Sequence, residues 1–280
     1  MGFEFKFNER TDMLPVLDGY LATEFAKTFS TALEIGVYKG GWLLTLASNN
    51  SKIQMIGIDP YPNLKTIKES FIEYRDQIGL KNRLHLYPSF SDLLTSEHNS
   101  ITYDIIHLDG EHSQTQVTKD LTNLYPLLKQ SGMLVIDDIF YHSYPGVTAA
   151  AFRFIDENKF TPFLFTEKKI YICNPNFYRE YYEKSKSILN ELKINYEESE
   201  NLNSKTSYAQ SNSIFGSNII ITSEKPTRKE IVNMLKIMNL KLPFVRNIKI
   251  IFANLLPPAF LATIRFSRTK LKTFQSNLKN

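Results

Sequence analysis

Apolar residues recur along the first 175 positions in two alternating rhythms. Short unbroken runs at Ala32–Ile35, Ile53–Ile58, Arg83–Tyr87, Tyr103–Leu108 and Met133–Asp137 predict strands. Between them, Gly41–Ala47, Leu64–Ile78, Asp92–Leu94 and Thr115–Lys129 predict helical segments. In the last, Val117, Leu121, Leu124 and Leu128 form one stripe at helical spacing. The strands are continuously apolar rather than alternating, as burial on both faces requires, and strand–helix alternation implies a parallel sheet covered on both sides. A helix follows near Gly146–Glu157. Phe163–Phe165 and Lys169–Ile172 come next, too close together for a parallel crossover, so they predict an antiparallel hairpin. The expected fold class is α/β, a doubly wound, mostly parallel seven-stranded sheet ending in that hairpin.

After Pro175 the pattern changes. Phe177–Leu192 predicts a helix, 195–213 a polar loop, Ser213–Thr222 a strand or insertion, and Thr227–Met238 a helix opened by Pro226. The last 40 residues are helical in pattern with a break at Pro257-Pro258. Residues 1–175 are therefore expected to form one α/β domain. Residues 176–280 are expected to form a mainly helical, basic extension that acts as lid, dimer element or membrane-surface element.

Composition changes this picture little. At 42% hydrophobic and 22% charged residues, with 11 Gly and 12 Pro in no period, the 280-residue chain is neither disordered nor repetitive. A single cysteine, Cys173, excludes an internal disulfide and a cysteine-built zinc site. The charged start, Met1-Gly-Phe-Glu-Phe-Lys, lacks the apolar run of a signal peptide, so a cytoplasmic location is expected. Charge matters more. The net +4 conceals nine Lys/Arg and no acid after Glu230, which leaves 24 basic against 29 acidic groups before it. A tail of this kind suits an anionic partner. Arg246, Lys249, Arg265 and the proline pair argue against a spanning helix in 243–266. Two readings of 241–280 remain, packing of its apolar faces on the core or on a second subunit, slightly favoured because both sheet faces need cover, and an amphipathic contact with the inner membrane face.

Candidate chemistry clusters where strands end. Leu33-Glu-Ile-Gly-Val-Tyr-Lys-Gly-Gly joins the first strand to the first helix, and Gly36 and Gly40 allow a tight turn near a ligand. Asp59 ends the second strand 23 residues past Gly36, where a carboxylate can hold ribose hydroxyls. Tyr38 stands where a dinucleotide motif needs glycine, which obstructs a pyrophosphate. Asp109 and the pair Asp137/Asp138 end two further strands. Carboxylates converging in one crevice call for a bridging cation, and oxygen ligands suit Mg²⁺ or Mn²⁺. His112, three residues past Asp109, is placed to act as a base.

These motifs together resemble the class I S-adenosylmethionine (SAM) methyltransferases. They are similar in particular to the metal-dependent O-methyltransferases of the macrocin and mycinamicin sugar-modifying type. The resemblance covers roughly residues 25–175. It implies that Glu34, Gly36, Tyr38, Gly40, Asp59, Ser89 and Asp109 line the cofactor site, with Gly36 to Gly40 beside the methionyl part, Asp59 on the ribose and Ser89 near adenine. It also implies Asp109, Asp137 and Asp138 as metal ligands and Asp109 with His112 as the catalytic pair. Glu111 departs from the family's usual Asp-Gly-Asp-His. The implied reaction is methyl transfer to a hydroxyl of a saccharide-containing acceptor, with no nucleic acid as substrate. Asp109-Gly-Glu lacks the Pro-Pro-aromatic of amino-methylating enzymes, and Cys173 lacks the preceding proline of cytosine-C5 enzymes. Alternative readings are a non-catalytic SAM-binding assembly module and a methyltransferase of non-sugar metabolites. A homo-oligomer is compatible with all of them.

Overall fold

The computed structural model describes residues 16–91, 101–198, 215 and 217–222. Asp92–Leu94, most of the 195–213 loop, Thr227–Met238 and the basic tail lie outside the described residues. The chain divides into two units, 1–238 and 239–280, and only the first contains described positions.

The strands are β1 (Thr31–Ile35), β2 (Gln54–Ile58), β3 (Leu84–Tyr87), β4 (Tyr103–Leu108), β5 (Leu128–Ile136), β6 (Thr161–Phe165), β7 (Ile170–Cys173), β8 (Tyr196–Glu198) and β9 (Ile220–Thr222). They form one sheet in the order β3-β2-β1-β4-β5-β7-β6-β9-β8. The first five run parallel, and β7 is antiparallel to both β5 and β6. These seven strands are the ones the apolar runs predict. The sheet goes on past the hairpin through β9, parallel to β6, and β8, antiparallel to β9. Tyr196–Glu198 is a strand inside the segment expected as a loop, because three residues of mixed polarity are too short to show a period.

The helices are α1 (Val16–Ala26), α2 (Gly41–Asn49), α3 (Lys65–Gln77), α4 (Gln114–Leu124), α5 (Pro145–Asn158) and α6 (Tyr178–Leu192). Helix α1 carries no readable stripe because it is buried nearly all round, polar Asp18 and Thr23 included. The helix expected over Thr115–Lys129 ends at Leu124. Pro126 supplies no amide for a further helical turn, a single 3-10 turn follows, and Leu128 opens β5 instead of extending the stripe.

Strand alternation sorts the core into two layers. Leu33, Ile35, Ile106, Leu108, Leu134 and Ile136 pack with Val117, Leu121 and Leu124 of α4 and Val147, Ala151 and Ile155 of α5. On the other face, Phe25 of α1, Phe163, Tyr171 and Tyr181 of α6 form an aromatic cluster with centroids 5.3–6.1 Å apart. Each such fully buried side chain contributes about 1.5–3 kcal/mol. That second face also carries two polar residues, Glu34 and His107, paired across β1 and β4.

Candidate active site

Strand order reverses between β1 and β4, and the turns leaving those strands frame a crevice at the carboxyl edge of the sheet, the place where open α/β sheets bind ligands. Gly36 turns with φ +86°, and a Cβ there would lie 1.8 Å from the Asp109 carbonyl oxygen, so the two loops touch backbone to backbone. Gly40 (φ +78°) is required for another reason: its missing Cβ makes room for the Phe71 ring, 2.1 Å from the position it would take. Asp59, at the end of β2, accepts the Tyr38 amide on Oδ2 at 2.8 Å and the Tyr61 amide on Oδ1 at 2.7 Å. The Tyr61 hydroxyl donates to the Tyr38 carbonyl at 2.9 Å, which locks this turn, where both tyrosines have positive φ. Each carboxylate oxygen keeps a lone pair for a further donor. Ser89, half-buried after β3, stands at the same edge.

Across the switch point the acids take different partners. His112 Nε2 lies 3.1 Å from Asp138 Oδ2 and 3.7 Å from Asp109 Oδ1, and its ring stacks on Tyr144 at 4.1 Å. The Asp109 and Asp138 carboxylates push the His112 pKa up to about 9 against the opposing effect of burial. Nε2 is shut from water yet has no aligned hydrogen-bond partner among the described residues. Glu111 is used for capping: its carboxylate accepts from the Ser113 amide and hydroxyl, and Ser113 in turn caps α4. Lys168 stands 3.8 Å from Asp138 Oδ1 and over the Tyr141 ring.

Asp137 faces inward. Its Oδ1 accepts the Asp138 amide at 2.7 Å, and its Oδ2 is ion-paired with Lys169. The β5–β7 register explains the pair: Val135 opposes Tyr171 and Ile136 opposes Ile170, so one step further brings Asp137 to Lys169. The Lys169 ammonium also donates to His107 Nε2 at 3.1 Å. That nitrogen must therefore be the bare one, and Nδ1–H donates to Glu34 Oε1 at 2.9 Å. Burial, and then the Lys169 charge, hold His107 well below its ordinary pKa, so the ring is neutral. It stacks on Trp42 of α2 at 4.9 Å. Burial, reinforced by Asp109 and Asp59, holds the Glu34 carboxyl well above the usual range. Its Oε2 has no partner among the described residues.

The structure thus brings Asp109 together with both members of the Asp137/Asp138 pair, but in two groups. The donor atoms of Asp109, His112 and Asp138 lie within 4.8 Å of one another, and so do those of His107, Asp109 and Asp137. The two carboxylates of the first group, half-open to solvent, fit a hard divalent cation that keeps waters for exchange, with the His112 ring beside it. Sequence reading missed His107 and Lys169. A lone histidine inside the apolar run Ile105-Ile106-His107-Leu108 is itself a signal, since a polar ring buried on a sheet face needs a partner.

An uncharacterised protein of Acanthamoeba polyphaga mimivirus is 29% identical over 168 residues, spanning 56% of this chain and 73% of the relative. Among solved structures, a candidate caffeoyl-CoA O-methyltransferase from Staphylococcus aureus superposes with TM-score 0.50 at 18% identity, covering 57% of this chain and 84% of that one, a likeness of fold. A TDP-rhamnose 3'-O-methyltransferase of calicheamicin biosynthesis aligns with TM-score 0.47 at 15% identity, over 57% and 79% of the two chains. Residues 33–139 match the family model of a methyltransferase domain, a segment that begins in β1 and takes in the glycine turn, Asp59, Asp109, His112, Asp137 and Asp138.

Proposed function

We propose that this chain is a SAM-dependent O-methyltransferase that methylates a hydroxyl of a sugar or glycosylated metabolite, with Mg²⁺ or Mn²⁺ at its acid cluster. The observation that carries the reading is the shared wall at the switch point: the Gly36 turn rests on the Asp109 backbone, and Asp109, His112 and Asp138 gather beside it. A methyl donor held along that turn lies next to an acceptor held at the cluster. In the transfer the S–CH₃ bond breaks as the O–CH₃ bond forms, leaving S-adenosylhomocysteine, so alignment of the two atoms supplies much of the rate. A divalent cation, when bound, lowers the pKa of the acceptor hydroxyl and orients it. Asp59 takes the ribose hydroxyls. With Asp109 and Asp138 free, His112 keeps its proton up to about pH 9, and neutralising those carboxylates frees Nε2 to receive the proton of the acceptor.

The saccharide acceptor rests on the Asp-x-x-His and double-acid motifs. The acid-free segment 241–280 is read as a peripheral contact with anionic lipid. Isothermal titration with SAM, followed by a methyl-transfer assay over glycosylated and non-sugar acceptors with and without EDTA, tests the reading. Turnover should vanish in EDTA while SAM affinity stays unchanged. Full turnover in EDTA would remove the cation, and absence of SAM binding would remove the methyltransferase reading.

A further inference from the structure

Two triads of donor atoms share Asp109, and they differ in what is already occupied. In the inner triad both nitrogens of His107 are engaged, by Glu34 and by Lys169, and both oxygens of Asp137 are engaged, by the Asp138 amide and by Lys169. In the outer triad the close contact lies within the triad itself, His112 Nε2 to Asp138 Oδ2 at 3.1 Å, and from outside it the half-exposed Lys168 comes no nearer to Asp138 than 3.8 Å. Lys169 is 2% exposed and is fixed at the backbone as well: its carbonyl accepts the Thr166 amide at 2.9 Å, and the Lys168 carbonyl accepts the Ile139 amide at 2.8 Å. The turn between β6 and β7 is thereby tied to the loop that carries Asp137 and Asp138. An ammonium enclosed in this way cannot swing to solvent to make room for a second cation, and losing its counter-charge would strand it.

We infer that Lys169 is a resident cation of the acid cluster, holding Asp137 as a positioning residue and leaving Asp109 and Asp138 as the carboxylates that take a divalent ion. The inference rests on the proposed cation site and refines it, since Asp137 is withdrawn from the ligand set that the family resemblance implies.

Mn²⁺ binding to the purified full chain, followed by electron paramagnetic resonance, tests it independently of turnover. D138N should bind Mn²⁺ at least about tenfold more weakly. The double variant K169M/D137N, which replaces the internal ion pair by a neutral pair, should stay within about threefold of wild type. K169M alone, which frees Asp137 to act as a third carboxylate, should bind about tenfold more tightly, and K169R should restore the wild-type value. A K169M/D137N affinity as low as that of D138N would make Asp137 a ligand and overturn the inference. The double variant removes the Lys169–Asp137 ion pair as a unit and strands neither partner, so it decides the question even if K169M fails a circular-dichroism check of folding. Mn²⁺ binding by K169M but not by wild type would keep Lys169 as the resident cation while overturning Asp109 and Asp138 as carboxylates that take a divalent ion, and binding by neither would overturn both.

Discussion

His107 and His112 belong to one strand and the loop that leaves it, yet their surroundings drive them in opposite directions. His107 is enclosed, stacked on Trp42 and faced by an ammonium, so its charged form is disfavoured. His112 faces two carboxylates at the rim and is pushed up to about 9. Because the folded pKa lies above the unfolded value of about 6.5, the stabilisation from His112 is fully present below that value and is lost as pH rises through about 9. In EDTA, NMR should show the His112 ring titrating near pH 9, and D138N should bring the midpoint back toward 6.5. Thermal unfolding of the wild type should lose stability between those limits relative to H112Q. A His112 midpoint at or below 6.5 would refute the carboxylate contacts as described. The sequence was legible here for residues of the site that end strands. Lys169 was not legible, because Thr166-Glu167-Lys168-Lys169 has the composition of an ordinary exposed turn.

At the scale of elements, the opposite edge of the sheet is held by an acid with no part in the chemistry. The carboxylate of Asp104, at the start of β4, accepts from the Ser30 amide (2.8 Å) and hydroxyl (2.9 Å) and from the Thr31 amide (2.9 Å), and pairs with Lys129 at 2.8 Å. Burial works to raise its pKa, but Lys129 and the Ser30 and Thr31 bonds outweigh it and hold the carboxyl below the usual range. This clamp sets the start of β1 against β4, and so the register in which Glu34 meets His107. D104A should cost about 1–3 kcal/mol at neutral pH, measured by urea unfolding. The folded pKa is depressed, so this stabilisation is present above the unfolded value of about 3.9 and is lost as pH falls through the lower folded one. Wild type and D104A should therefore converge in acid, and a neutral-pH difference under about 0.3 kcal/mol would show the clamp to be idle.

For the whole molecule, the segment after Glu230 differs from the rest of the chain in charge, with nine basic groups and no acid, and it is also the richer in hydrophobic residues. Among the described residues no helix is long and apolar enough to cross a membrane. The proposed lipid contact therefore depends on nine basic groups after Glu230 acting together with an apolar face. The full chain should co-sediment with vesicles containing phosphatidylserine and not with pure phosphatidylcholine, and added salt should release it. R268E/K270E/K272E should weaken the interaction by about 1 kcal/mol or more per reversed group. Equal recovery in the supernatant with both vesicle types would leave the tail as a packing or subunit element.

What the sequence by itself determined is whatever repeats or punctuates locally. Five apolar runs separated by helical stripes specify a parallel doubly wound sheet, the short Phe165–Lys169 link specifies a hairpin, and acids at strand ends specify which edge carries the chemistry. Periodicity could not show α1, which is buried all round, or the three-residue β8. Nor could it show partners. Whether Asp137 or Asp138 is open to a cation depends on the antiparallel register that sets Lys169 opposite one of them, and whether a histidine is neutral or charged depends on which groups the sheet places within about 4 Å. Those are contacts between strands far apart in the chain, and only the tertiary structure decides them.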